Sequence, residues 1–409
     1  MLKFSSFFYC ICLSLCLNGQ NIINYTTSDG LLTNYIECID IDINDNLWIG
    51  TPVGVQMFDG SSWINYNTST NPSIAADNIK VVSATSNGDI WIGTDYGVSQ
   101  FNGIDWTTFT SANGLNNNQI YSIDEDPSGG IWIGTHAGVS YYNGSIWTSY
   151  GYPELHWSGV NGTAFDSQGN TWFSSPLGGV TSKVGNNFIT YDTAYGLLSQ
   201  NATSILIDDL DNKWIGTGGG ISVLDADNIN FTHYTRMYIM PPPDTLNPVV
   251  DIELDYYGNP WVGIYVGYLA EGGVASWNPV SSNWLDYDVD DGLIGQNIKD
   301  LSIDSENNVW VATTTGISKL LIGLSSSVDM DLKRIKSYPN PSNGEFIISC
   351  PELEIESISI YNDLSQLIHY ENSLKDEQIE LNLRHLDKGI YHLILIIDDY
   401  SIYQTLIIK

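Results

Sequence analysis

An all-β chain is predicted by three features of the 409-residue sequence. A phrase built on Trp-Ile-Gly-Thr returns around Trp48, Trp91, Trp132, Trp172, Trp214, Trp261 and Trp310, at spacings of 43, 41, 40, 42, 47 and 49 residues. Within each interval, short strand-like runs are divided by turn signals: in the second unit "IKVVSAT", "IWIGT", "GVSQF" and "DWTTF" are separated by "SNGD", "DY" and "NG". Beyond residue 336, further short runs alternate apolar and polar residues, most clearly in "QIELNL". Four antiparallel strands repeated at this period are the signature of a β-propeller blade, and strands apolar on both faces suit sheets sandwiched between neighbours. The fold class predicted is therefore a seven-bladed β-propeller, closed by an N-terminal strand and followed by a small β-sandwich domain.

Residues 1–19 read as a secretory signal peptide, with one Lys, an apolar run through Leu17 and Gly19 before Gln20. A lipoprotein anchor on Cys16 is the competing reading, against which Leu15 stands where such signals carry a small residue. No later run reaches the ~18 apolar residues of a spanning helix. Of five cysteines, Cys38 and Cys350 remain after the signal, and both read as small buried apolar residues rather than a disulfide framework.

The propeller is expected over 20–323. "IINYTT" (22–27) has the form of a unit's closing strand but precedes the first unit. The seventh unit, "IKDLSID", "VWVAT" and "GISKLLIG", stops without one. Pairing the spare strand beside the third strand of the last unit closes the ring and leaves no long open edge. The Gly after each Trp-Ile pair removes a side chain where sheets approach closely. Asp42, Asp126, Asp166, Asp208, Asp255 and Asp304 stand six residues before the anchoring tryptophans, with Thr85 the exception, and read as Asx-turn acceptors at a hairpin. Residues 324–336 read as a linker, and 337–409 as the sandwich.

The net charge of −33 is spread along the chain, and Lys+Arg number only 14. Such a surface repels phosphate backbones and anionic headgroups, which excludes nucleic acid and membrane-surface binding as expectations.

Two resemblances follow from these residues. The Asp, Gly-Asn-type turn, "LWIGT" and aromatic-rich strand of 22–323 resemble the two-component regulator propeller repeat, most cleanly in the first three units. In that family such propellers often sit in front of a histidine kinase and sense oligosaccharides; no kinase accompanies the repeats in this sequence. Tyr338-Pro339-Asn340-Pro341 with Gly344, the Ile360-Tyr361-Asn362 run, Gly389-Ile390-Tyr391 and the terminal Lys409 resemble a type IX secretion C-terminal sorting domain, with Ser365 where the family usually has Gly. That resemblance implies the type IX machinery as partner and the surface or surroundings of a Gram-negative bacterium as location.

Chemistry is sparse. The propeller holds His136, His156 and His233, and lacks Gly-x-Ser-x-Gly, His-Glu-x-x-His and a phosphate loop. Loops between second and third strands and those between blades share one face, and there the repeat departs from itself, in "GYPELHWSG", "TRMYIMPPPDTLNP" and "IYVGYLAEGG". His136, His156, Trp157, Arg236, Tyr238, Tyr265 and Tyr268 are accordingly the candidate ligand-binding residues, offering aromatic stacking and a charged fork to a glycan or a protein. Asp286, Asp288, Asp290 and Asp291 form an acidic loop that reads either as a weak Ca²⁺ site or as a solvated turn. The expected function is non-catalytic ligand binding by an exported protein. A propeller enzyme is the alternative, as in the streptogramin lyases, whose chemistry sits on this face; a structural adhesin is the third reading.

Overall fold

A computed structural model describes residues 22–155, 159–238, 247–267, 271–278, 283–322, 336–338, 340–349, 355–362, 367–376, 378–397 and 400–409. Every regular element among them is a β-strand. Six four-stranded antiparallel sheets span 38–66, 81–109, 120–150, 162–191, 202–234 and 249–287. The seventh takes three strands from 298–320 and its fourth from Ile22–Tyr25. The innermost strands touch one another in chain order, and the last, Ile298–Ile303, touches the first, Cys38–Ile41. Seven blades therefore close a ring.

The same aromatic pair holds each blade. The anchoring tryptophan of the second strand stacks on the last aromatic of the fourth, as in Trp48 with Tyr66 (5.8 Å), Trp172 with Tyr191 (5.3 Å) and Trp261 with Tyr287 (5.5 Å). In the seventh blade Trp310 stacks at 5.6 Å on Tyr25, 285 positions earlier (310 − 25) in the chain. Register agrees: Ile22 lies opposite Leu320 and Tyr25 opposite Ile317. Asn24 adds two side-chain bonds, donating to the Gly292 carbonyl (2.9 Å) and accepting from the Ser318 hydroxyl (2.7 Å). The strand exchange expected from the sequence is thus observed.

Close approach explains the repeated glycine. A Cβ on Gly93 would lie 2.5 Å from Val81 of its own blade and 2.5 Å from Ile120 of the next, well inside van der Waals contact. The repeated aspartate has two tasks. Asp166 accepts from the backbone N–H groups of Gln168 (3.1 Å) and Asn170 (2.8 Å), forming the turn, and from the Trp172 indole at 3.0 Å. The same indole bond recurs at Asp42, Asp126, Asp208 and Asp304. Burial pushes the Asp166 carboxyl up, but these donors together outweigh it and hold the group below its ordinary range. Neighbouring hairpins are also tied: Asp45, at φ 60°, accepts from Ser305 N–H (3.0 Å), which joins the first blade to the seventh.

Residues 336–409 form a sandwich of a three-stranded and a four-stranded antiparallel sheet. Phe346, Ile348, Ile379 and Leu381 from the smaller sheet pack with Ile358, Ile360, Leu393, Leu395 and Leu406 from the larger. Alternation puts one face of each sheet inward, as the expected fold required.

Candidate functional site

Eleven residues before each anchoring tryptophan, as Glu37 stands to Trp48, comes a residue within one position of the start of the innermost strand. Around the ring this position holds Glu37, Lys80, Tyr121, Asn161, Thr203, Val250 and Lys299. Alternating strand direction puts them at the ring end that carries the hairpins between second and third strands and the connections between blades. All seven line a central channel of about 610 Å³. Asn161 and Thr203 are committed to the wall, donating to the carbonyls of Ala202 (3.3 Å) and Val249 (2.8 Å).

The remaining polar groups form two clusters at this mouth. Glu37 receives Lys80 at 3.4 Å and Lys299 at 3.0 Å, so that two ammonium groups share one carboxylate. The Lys299 ammonium also lies 5.6 Å from the centre of the Tyr35 ring. Burial pulls Lys299 down, but Glu37 and then Tyr35 more than offset it, and its pKa stands above the ordinary lysine range. On the third blade, Tyr121 Oη and His136 Nδ1 share a hydrogen bond of 2.9 Å. The rings meet edge to face at 87°.

Deeper in, the channel wall carries Asp40, Asp124, Asp251, Glu253 and Asp300. Several of these carboxyls reach across to the next blade's innermost strand. Asp40 accepts from Ala84 N–H (2.7 Å), Asp251 from Leu301 N–H (3.1 Å) and Asp300 from Ile39 N–H (2.8 Å). Burial pushes Asp40 up to about 6 and Asp124 up to about 7, against the hydrogen bonds that each accepts. Burial and the neighbouring Asp251 raise Asp300 well above its ordinary value, and the two carboxyls hydrogen-bond to each other. Burial, then Asp251 and Asp40, raises Glu253. Asp40, Asp251 and Asp300 thereby tie blade to blade around the axis.

The candidates named from sequence separate. His136 is exposed at the mouth. Arg236 is exposed on the connection after Phe231–Tyr234, and Tyr265 is half-buried, with its hydroxyl 3.5 Å from the Gly267 carbonyl. Tyr238 is a core residue. Its ring packs on Gly273, and its hydroxyl donates to Asp288 at 3.3 Å. Asn247 fixes this arrangement by accepting from the N–H groups of Met237 (2.7 Å) and Tyr238 (2.8 Å). His156, Trp157 and Tyr268 lie outside the described residues, as does Cys350, whereas Cys38 is buried. In the acidic loop Asp288 accepts from Asp290 N–H (2.7 Å) and Asp291 from Asp288 N–H (3.1 Å), a turn built from its own carboxylates. Among the described residues no group of three or more His, Cys, Asp or Glu is placed to hold a metal ion.

The sorting-motif residues are structural pins of the sandwich. Asn340 accepts from Ile407 N–H (2.9 Å), and Lys409 N–H reaches the Ser342 carbonyl (2.8 Å). Gly344 has φ 95° and faces the Arg384 backbone, where a side chain would clash. Gly389 opens a nine-residue strand opposite Ile408, and buried Tyr391 donates to the Asp387 carbonyl at 2.9 Å. Tyr338 and Pro341 flank this region, and Pro339 lies outside the described residues.

Lys80, Lys299, Glu37, Tyr35 and Tyr121 were not singled out from sequence. A column at the fixed offset of eleven from the tryptophans would have found all but Tyr35, because that column is polar or charged in six of the seven units while the column just before it is apolar throughout.

Comparison with known proteins agrees with the fold. Residues 336–409 match the secretion system C-terminal sorting domain, and residues 114–137 the two component regulator propeller. Over 88 residues the chain is 32% identical to an ulvan lyase of Nonlabens ulvanivorans, covering 20% of this chain and 16% of that protein. Among solved structures, the extracellular domain of a hybrid two component system from B. thetaiotaomicron superposes with a TM-score of 0.63 at 16% identity, over 94% of this chain and 57% of that one. PorZ, a surface component of the type IX secretion system of Porphyromonas gingivalis, superposes at 0.58 and 16% identity, over 95% of this chain and 60% of that one. This chain thus spans less than two thirds of either. The sorting domain marks export by the type IX route to the cell surface or the medium. No helix among the described residues is long and apolar enough to cross a membrane. The chain is thus a seven-bladed β-propeller that matches the two component regulator propeller over residues 114–137, followed by a type IX secretion C-terminal sorting domain over residues 336–409.

Proposed function

We propose that this exported propeller binds a glycan or protein ligand at the channel mouth, without catalysis. One observation carries the reading. The Lys80–Glu37–Lys299 cluster and the Tyr121–His136 pair sit on one polar rim of a 610 Å³ cavity, on the face that carries the irregular loops. A rigid ring presenting a concave, chemically mixed opening is the usual form of a small-ligand site. Arg236 and Tyr265 become outlying contributors, and Tyr238 supports the loop from below.

A glycan and peptide array with the secreted protein, repeated with Tyr121→Ala/His136→Ala, tests the assignment. Ligands retained in full by the double variant would place the site elsewhere. A second reading, a lyase, is favoured by the hydrogen-bonded Tyr121–His136 pair, since two such groups in contact are able to pass a proton. Absorbance from an unsaturated sugar product, appearing with the parent and abolished in His136→Ala, would establish it.

A further inference from the structure

Resting on the channel-mouth reading, we infer that the ligand is an anionic saccharide, held through a carboxylate or sulfate by Lys80 and Lys299. The propeller carries six basic residues over 20–322, against 33 acidic ones, so cations at any one place are scarce. Two of the six stand at the axis. Lys213 and Lys319 are elsewhere, lying over the rings of Trp172 and Trp310, and Lys183 lies over Tyr150. Lys319 is further neutralised by Asp304 at 2.9 Å.

At the mouth the balance differs. Two ammonium groups face a single carboxylate, leaving one positive charge in excess, and neither lysine is closed off, with side-chain exposures of 33% and 27% against 15% for Glu37. Glu37 holds the two ammonium groups together at the mouth. An incoming oxyanion bridging the two would complete the alternation of charge at the mouth.

Saccharide is favoured over acidic peptide by what flanks the lysines. Tyr35 is 40% exposed and Tyr121 39% exposed, on the first and third blades either side of Lys80. Tyrosine faces of this kind stack on the C–H faces of sugar rings, and the phenol and imidazole of Tyr121 and His136 offer bonds to hydroxyl groups. A peptide would instead look for a free strand edge, and on the innermost strands the N–H groups of Ile39, Ala84 and Leu301 are already taken by Asp300, Asp40 and Asp251.

Calorimetric titration of the secreted protein tests the inference. The probes are a galacturonate trimer, its methyl ester, a sulfated galactan oligomer and hexaglutamate, each at ~0.05 and ~0.5 M salt. At least one acidic sugar should bind, weakening about tenfold or more in high salt and by a similar factor in Lys80→Gln/Lys299→Gln, with the methyl ester silent. The galacturonate and sulfated arms distinguish which oxyanion is taken. The variant's unchanged melting temperature would show that lost binding is not lost fold. Methyl ester binding as tightly as the acid, hexaglutamate binding as tightly as either sugar, or no binding by any acidic sugar overturns the inference. Failure of the site itself would look different: acidic sugar would bind undiminished to both the lysine variant and Tyr121→Ala/His136→Ala.

Discussion

Replacing Tyr25 with alanine tests the seam at a single side chain. Its ring stacks on Trp310 at 5.6 Å and meets Phe58 at 5.4 Å and Trp63 at 6.1 Å, thereby touching both the seventh blade and the first. The side chain is about half-buried, so truncation forfeits burial of roughly 100 Å² of apolar surface, or ~2.5 kcal/mol. Three ring contacts add on the order of 1 kcal/mol after allowance for overlap with that burial. A loss of about 3 kcal/mol is expected, which in a ring of this size lowers the melting temperature by about 6 °C. Tyr66→Ala is the control, since that residue has the same stack on Trp48 at 5.8 Å but lies inside a covalently continuous blade. Calorimetry should show similar losses for the two. Hydrogen exchange should separate them: only Tyr25→Ala should speed exchange in Gly316–Leu320, the strand that receives the N-terminal segment. Deleting residues 20–28 should exaggerate both effects. Stability lost by less than ~1 kcal/mol, or Gly316–Leu320 protected as in the parent, would refute the reasoning.

Three further outcomes are expected. Gly93→Ala forces a Cβ to within 2.5 Å of both Val81 and Ile120 and should cost about 2–3 kcal/mol in urea titration, whereas alanine at Gly103, where nothing lies within 4 Å, should cost only the strain of φ 86°. Asp166→Ala removes the acceptor for two backbone groups and the Trp172 indole and should destabilise by about 2–3 kcal/mol, read by calorimetry; Thr85→Ala, at the position without an indole bond, should cost less. The channel acids set a pH dependence. Asp40 and Asp124, raised to about 6 and about 7, hold protons that the unfolded chain releases near pH 4, so stability is greatest below that point and falls as pH rises to about 7. The loss, discounted for solvent in the channel, is on the order of 3 kcal/mol; the melting temperature should be higher near pH 5 than near pH 8, and Asp124→Asn should flatten the slope. A parent whose melting temperature rises across that interval would contradict the channel assignment.

The blades were legible because the repeat is chemical as well as numerical. Trp48 and its six counterparts must each find an aromatic partner, so a unit lacking a closing aromatic advertised the loan of Tyr25. The site was less legible. Glu37, Lys80 and Lys299 meet because the first, second and seventh blades converge on one axis, which shows in the sequence only when the seven units are aligned and one column is read across all of them. Tyr238 misled for a related reason: a proline-rich insertion with tyrosines resembles an exposed binding loop, but Asn247 folds its base into the core and consumes the ring as packing. Sequence position showed where the repeat is irregular, whereas burial decided which side of the irregularity faces solvent.

The borrowed strand also determines where mechanical tension goes. A tail fixed at the cell surface would pull on the chain beyond Ile322, directly after Gly316–Leu320. That strand is hydrogen-bonded on one side to Val309–Thr313 and on the other to Ile22–Tyr25, both antiparallel to it. Force along it must slide two ladders at once instead of unzipping one, and shear of this kind breaks many bonds together. An anchored propeller with a three-stranded last blade would offer only one such ladder. The first residues of the folded protein therefore act as a brace for its exit.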